Sequence, residues 1–259
     1  MSPLPAFVIF HVPHDSTVIP ASVRQQFLLG DAELAAEVLK MTDHHTLELF
    51  ARDVPAHQIV HAEVSRLVVD CERFLKDEPM SALGMGAVYQ RTSDGLNLRR
   101  RITPIERQAL IDAWYHPHHM RLESTTQRFL SKYDRALLID GHSFPAKPLS
   151  YESDQRADRP QICIGTDEFH TPKSLEAAFV NAFGAAGFDV RVDMPFSGAM
   201  VPLRHYQTDR RVSAVMVEVN RGTYLESSGE RNSEFTNVAK RIRHCICEAI
   251  KTWESSAQI

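Results

Sequence analysis

The chain has 259 residues, 43% of them hydrophobic and 24% charged, with a formal net charge of -4. That balance lies in the ordinary globular range, away from disordered compositions, and gives no reason to expect a nucleic acid or an anionic membrane as partner. Four cysteines, Cys71, Cys163, Cys245 and Cys247, are too few and too irregularly spaced for a disulfide scaffold and fit a reducing compartment. No apolar run approaches the roughly 20 residues that span a bilayer, and the opening MSPLPAFVIF lacks a basic leader, so the cytosol is the expected location.

In chain order, apolar runs that read as strands cover 6–13, 57–65, 66–70, 135–143, 162–166, 189–195 and 213–220. Several are rich in β-branched residues and nearly continuous in apolar character, which predicts strands covered on both faces. Helical patterns fall between them at 31–52, 104–131, 171–186 and 230–253. Thr103 followed by Pro104 and Glu106 reads as a capped helix start, Thr171 and Pro172 repeat that entry, and Gly187 reads as a helix stop. Two long loops are expected, 74–101 and 145–160, of the length that more often carries function. The alternation predicts an α/β fold, a mixed or mostly parallel sheet flanked by helices, in a single domain spanning 1–259.

In such sheets ligands sit outside the carboxyl ends of the strands. Collecting polar residues there gives His11, His14 and Asp15, then Ser65, Arg66, Asp70 and Arg73, then Asp140, His142 and Ser143, and finally Glu218, Asn220 and Arg221. His14 and His142 come from separate strands, each beside an acid or hydroxyl able to fix a ring tautomer. A catalytic zinc site needs three protein ligands and an open position. In LKMTDHHTLELF, helical spacing puts Asp43 on a stripe with Leu39, Leu47 and Phe50, where a carboxylate needs a cation, either an arginine or a metal. His44 and His45 stand off that stripe, and His11, His44 or His45 could replace one of the ligands. Strand alternation sets Met216, Glu218 and Asn220 opposite Val215, Val217 and Val219. Glu218, near the end of a buried strand, suits a general base for water beside a metal, or pairs with an arginine. Arg66, Arg73, Arg204 and Arg221 occupy polar breaks beside the strands and imply a small carboxylated substrate.

The motifs HVPHDS, MTDHHTLELF, EVSRLVVDCER, WYHPHHMRL, LIDGHS, PFSGAMVPLRHY and VEVNRGTYL occur in the order and at about the intervals of the N-formylglutamate amidohydrolase family, which the chain resembles over about 7–225. The resemblance implies a fold similar to zinc-dependent exopeptidases, one zinc ion per chain, and hydrolysis of N-formyl-L-glutamate in histidine degradation. It implies His14, Asp43 and His142 as metal ligands and Glu218 as general base. His119 would stabilise an oxyanion or donate a proton, and Arg66, Arg73 and Arg204 would hold substrate carboxylates. Three positions depart from the family pattern. Asp15 and Ser16 stand where a small residue and glycine are usual, and Glu72 stands where asparagine is usual, adding negative charge that would disfavour a dicarboxylate. Competing readings are a serine nucleophile at Ser143, which lacks the G-x-S-x-G elbow, and a non-catalytic binder of carboxylated metabolites.

Overall fold

The computed structural model describes residues 4–76 and 78–256. Six strands form one sheet: β1 (Val8–Val12), β2 (Ile59–His61), β3 (Ala136–Phe144), β4 (Ile162–Gly165), β5 (Val190–Val192) and β6 (Val212–Asn220). Their order is β2-β1-β3-β6-β4-β5. The first four in that order run parallel; β4 pairs antiparallel with β6, and β5 follows β4. The sheet is therefore mixed, as the alternation of apolar runs and helical patterns predicts.

Alternation along the strands gives the sheet two unlike faces. One carries Val8, Phe10, Leu137, Ile139, Val215, Val217 and Val219, and it is covered by α3 (Thr46–Ala51), α6 (Lys173–Ala185) and α7 (Phe235–Ser256) in the main core. Gly141 belongs to this face, and a Cβ there would stand 2.6 Å from the Phe50 ring, so the close seating of α3 on β3 requires glycine. On the opposite face, Ile9, Leu138 and Ala214 pack against Leu122, Phe129 and Leu130 of α5 (His116–Tyr133). Further along the same strands that face turns polar, with His11 opposite Asp140 and His142 opposite Glu218. This is the carboxyl end of the parallel strands.

Three local expectations differ from the fold. The helix predicted over 31–52 is two helices, α2 (Asp31–Met41) and α3, separated by a turn in which His45 adopts φ +64°. Asp43 lies in that turn, so it shares no helical stripe with Leu39; its backbone N–H donates to His14 O at 2.9 Å, and Thr46 Oγ1 donates to its carbonyl at 2.8 Å. The run 66–70 is buried but forms turns, with Val68 N–H bonded to Ser65 O and Asp70 N–H to Ala87 O. Its apolar residues serve a second core, with Met85, Tyr89 and Leu98 from the long loop. Thr171 does not cap α6. Pro172 takes that place, and Thr171 Oγ1 donates to Ala214 O instead. The Thr103–Glu106 capping box opens α4 (Pro104–Leu110) as expected, and a π turn over Ile111–Tyr115 joins it to α5.

Candidate active site

Two histidines, each backed by an aspartate, face a third acid. His14 follows β1, and its Nε2–H donates to Asp70 Oδ1 at 2.9 Å. Its Nδ1 is buried without a hydrogen-bond partner, 3.8 Å from Asp43 Oδ2 and 3.8 Å from Glu72 Oε2. His142 is held in the same way: Nε2 meets Asp140 Oδ1 at 3.1 Å, and Nδ1 lies 3.2 Å from Asp43 Oδ2. Asp43 is fixed by Arg221, whose Nη2 donates to Oδ1 at 2.8 Å, and by Ser143 N–H at 3.2 Å.

Histidine ligands of metals characteristically give their second ring nitrogen to a carboxylate, which orients the ring and fixes the tautomer. Here Asp70 and Asp140 supply that contact, and both Nδ1 atoms then converge on Asp43 Oδ2. Zinc ligands at about 2.0–2.2 Å in a tetrahedron lie roughly 3.3–3.6 Å apart, and the 3.2 and 3.8 Å separations bracket that range. A lone pair facing two carboxylate oxygens across such gaps calls for protons or a cation. The two histidines with the acids between them, Asp43 and Glu72, thus offer donors that could hold a metal ion. The group at this point whose donor atoms all lie within 4.8 Å of one another is His14 with Glu72 and His142, so Glu72 competes with Asp43 for the third place. Glu72 Oε1 and Asp140 Oδ1 each stand 3.1 Å from His142 Nε2, while Asp43 Oδ2 stands 3.2 Å from its Nδ1. A further group, His11 with Glu72 and Asp140, shares the same glutamate. There His11 Nδ1–H donates to Asp140 Oδ1 at 2.7 Å, an ordinary hydrogen bond that is short for two ligands of one metal.

The charge state follows from the crowding. Burial, and Arg66 beside it, push the His14 ring toward neutrality, but Asp70 and Asp43 outweigh them and its pKa is raised. Burial likewise opposes the charged form of His142, and Glu72 and Asp140 overturn it. The Asp43 carboxyl is pushed up by burial and pulled well below its usual range by both histidines and Arg221. Glu218 behaves differently. Burial, with Asp43 and Glu72 adding to it against the pull of His142 and Arg221, pushes its carboxyl up to about 8. Its Oε2 is buried and has no hydrogen-bond partner.

The arginines divide. Arg66 is committed to Asp70 through Nε and Nη2, at 3.2 and 2.8 Å, and touches Tyr89 Oη. Arg221 is committed to Asp43, Lys40 O and Ser143 Oγ. It positions Asp43, and its reach toward a substrate is correspondingly reduced. Arg73 Nε has no hydrogen-bond partner and stands 3.9 Å from Asp70 Oδ2. Arg204 is not brought into the site: its side chain is 66% exposed and pairs with Glu123 on the surface, because the turn carrying it points outward. His119 is half-buried on α5. Its Nε2–H donates to Cys71 O at 2.8 Å, which leaves it no free N–H for an oxyanion, and burial with His11 nearby lowers its pKa to about 4. His44 Nε2 and His45 Nδ1 contact Leu39 O and Arg231, away from the cluster. Ser143 Oγ accepts from Arg221 Nε, and among the described residues it has no hydrogen bond to a histidine base.

In sequence Asp70 and Asp140 stand out only as polar residues at the ends of apolar runs, and Glu72 only as a charge that would disfavour a dicarboxylate. Asp140 had a usable signal, since it lies two residues before His142 and so shares its face of β3. All four cysteines are buried and free. Among the described residues no helix is long and apolar enough to cross a membrane.

The open α/β sheet with a buried histidine–carboxylate centre at its carboxyl edge defines the class. The particular family follows from comparison: the N-formylglutamate amidohydrolase model matches residues 6–225, and the chain belongs to that family. Similar curated proteins include N-formylglutamate deformylases of Pseudomonas aeruginosa, 25% identical over 95% of this chain and 93% of the relative, and of Pseudomonas putida, 27% identical over 85% and 82%. The fold is shared with a crystal structure of an N-formylglutamate amidohydrolase from Ralstonia eutropha JMP134, with a TM-score of 0.82 at 18% identity, covering 100% of this chain and 97% of that one. A gene product of Agrobacterium tumefaciens aligns with a TM-score of 0.71 at 19% identity, over 97% and 93% of the two chains.

Proposed function

We propose that the chain is a zinc-dependent amidohydrolase that cleaves the amide of an N-formyl or N-acyl amino acid, most directly N-formyl-L-glutamate, since its relatives are named N-formylglutamate deformylases. The observation that carries this reading is the orphaned His14 Nδ1, its tautomer set by Asp70, facing Asp43 and Glu72 in a chamber that Glu218 also lines. His14, Asp43 and His142 would hold one zinc ion. When bound, the ion supplies Lewis acidity that polarises the acyl carbonyl and makes water easier to deprotonate.

The remaining chemistry belongs to side chains. Glu218 takes a proton from the attacking water and returns it to the leaving nitrogen, so that the C–N bond breaks to give a carboxylic acid and a free amino acid. A carboxyl with a pKa pushed up to about 8 is a poor base at neutral pH, and a dication beside it draws that value down again. Arg73 receives the substrate carboxylate. Asp70, Asp140 and Arg221 hold the ligand rings and Asp43 in place.

Release of formate from N-formyl-L-glutamate, measured with and without a chelator, tests the reading. Release that stops on chelation and in Glu218→Gln supports it. Tight binding of the substrate without turnover would instead support a non-catalytic binder.

A further inference from the structure

We propose that the site takes N-acyl amino acids bearing a single carboxylate and an apolar group of several carbons, and that this group lodges in a second chamber beside the histidine–carboxylate centre. This rests on the reading of the chain as an amide hydrolase.

Two cavities meet at the site. The polar one, about 170 Å³, contains His14, Asp43, His142 and Glu218. The second, about 300 Å³, shares Glu72, Arg73, Ser197 and Met216 with it, so the two adjoin. Its other walls include Phe74, Tyr115, Met200, Val201, Leu203 and Tyr206. Of its carboxylates, the two besides Glu72 are already engaged: Asp140 Oδ2 accepts from Met200 N–H, and Asp167 Oδ1 from the N–H groups of Phe169 and His170. Phe74 and Leu203 stand at its outer side, 53% and 64% exposed, an apolar rim facing water. A formyl group is one carbon and leaves such a chamber empty, whereas pockets of about 300 Å³ and upward house drug-sized ligands against apolar walls.

Charge decides the rest of the substrate. Among the described residues lining the polar chamber, the cations are Lys40, Arg66, Arg73 and Arg221. Lys40 pairs with Asp94, Arg66 with Asp70 and Arg221 with Asp43. Arg73 alone approaches its acid no closer than 3.9 Å. One available guanidinium matches one carboxylate. A second carboxylate would meet Glu72, which borders both cavities.

The test is kcat/KM of the zinc-loaded enzyme for N-formyl-L-glutamate, N-formyl-L-norleucine and N-hexanoylglycine, in wild type, Ala199→Phe and Leu203→Ala. Ala199 is a half-buried loop residue on the chamber wall, and Leu203 forms its exposed rim. At least one apolar substrate should exceed N-formyl-L-glutamate tenfold, and which one does identifies the side of the amide that enters the chamber. Ala199→Phe should lower that preference at least tenfold, and Leu203→Ala should raise KM for the apolar substrate more than for N-formyl-L-glutamate. A wild type that cleaves N-formyl-L-glutamate better than both apolar substrates overturns the inference and leaves the hydrolase reading standing. Cleavage of none of the three overturns the hydrolase reading and the chamber assignment with it.

Discussion

Asp70 accepts the Nε2–H of His14 at 2.9 Å, and this contact decides which nitrogen of the ring carries its lone pair into the site. The same carboxylate receives Arg66, the Tyr89 hydroxyl at 2.7 Å and the Glu72 N–H at 2.9 Å. It ties His14 to the second core in one step. Asp70→Asn should therefore act on binding and stability together. Zinc affinity should fall about 10- to 100-fold, the usual effect of losing a carboxylate behind a histidine ligand. Stability should fall by about 3–5 kcal/mol, because Arg66 is left buried without its partner. Competitive zinc titration and urea unfolding measure the two effects separately.

Glu218→Gln should remove turnover by about 10²–10⁴-fold while leaving the fold intact. The metal-free variant should also be more stable than wild type in alkaline solution. The Glu218 carboxyl rises from 4.5 to about 8 on folding, so the folded state holds a proton that the unfolded chain gives up. That contribution is fully present below about pH 4.5 and is lost as pH rises through about 8. Glutamine cannot lose it. Thermal unfolding of chelated protein at pH 8.5 should show Glu218→Gln melting several degrees above wild type, against near-equality at pH 5.

His118 gives the opposite dependence. Burial, with His11 beside it, pushes its ring down to about 2, and its Nε2 contacts His11 Nε2 at 2.8 Å. Below about pH 6.5 the unfolded chain gains a proton there that the folded chain refuses, so stability falls with pH by about 1.4 kcal/mol per unit for this group. In His118→Gln the acid limb of the stability curve between pH 6.5 and 5 should be shallower by about one proton. Urea midpoints across that range measure the slope.

Gly141→Ala should destabilise by about 1–3 kcal/mol, since the new methyl meets the Phe50 ring at 2.6 Å and α3 must shift away from β3. Asp43 precedes α3, so zinc affinity should fall as well. Phe50→Leu in the same chain should recover part of both losses, read by unfolding and zinc titration.

Arg73→Ala should raise KM about 10- to 100-fold with little change in kcat, as expected when a charge-assisted contact to a distant carboxylate is lost. Steady-state kinetics on an N-formyl amino acid measure the split. Arg204→Ala should leave both parameters unchanged, because its partner is Glu123 at the surface.

The strands and their two faces were legible because β-branched runs and strict alternation are local: Val215, Val217 and Val219 against Met216 and Glu218 needs nothing beyond the strand itself. His14 and His142 were legible for the same reason, as polar residues ending buried runs. Asp43 was legible as a buried acid but not in its true setting, since the break before α3 depends on a bond from its N–H to His14 O, a contact between distant parts of the chain. The run 66–70 has the composition of a strand, yet its backbone groups find Ser65 and Ala87 rather than a neighbouring strand, and composition does not encode that choice. Arg66 and Arg204 look alike in sequence. Only the tertiary fold separates one locked on Asp70 from one turned to solvent.

The central claim is that the paired histidines and Asp43 hold a metal. Its most direct test is the zinc content of purified, tag-free protein by plasma mass spectrometry, for wild type beside His142→Ala and Asp43→Asn, with circular dichroism confirming that each variant is folded. About one zinc per wild-type chain, absent from both folded variants, is the predicted result. Wild type that holds no metal after zinc is added back and the free ion removed would contradict the account.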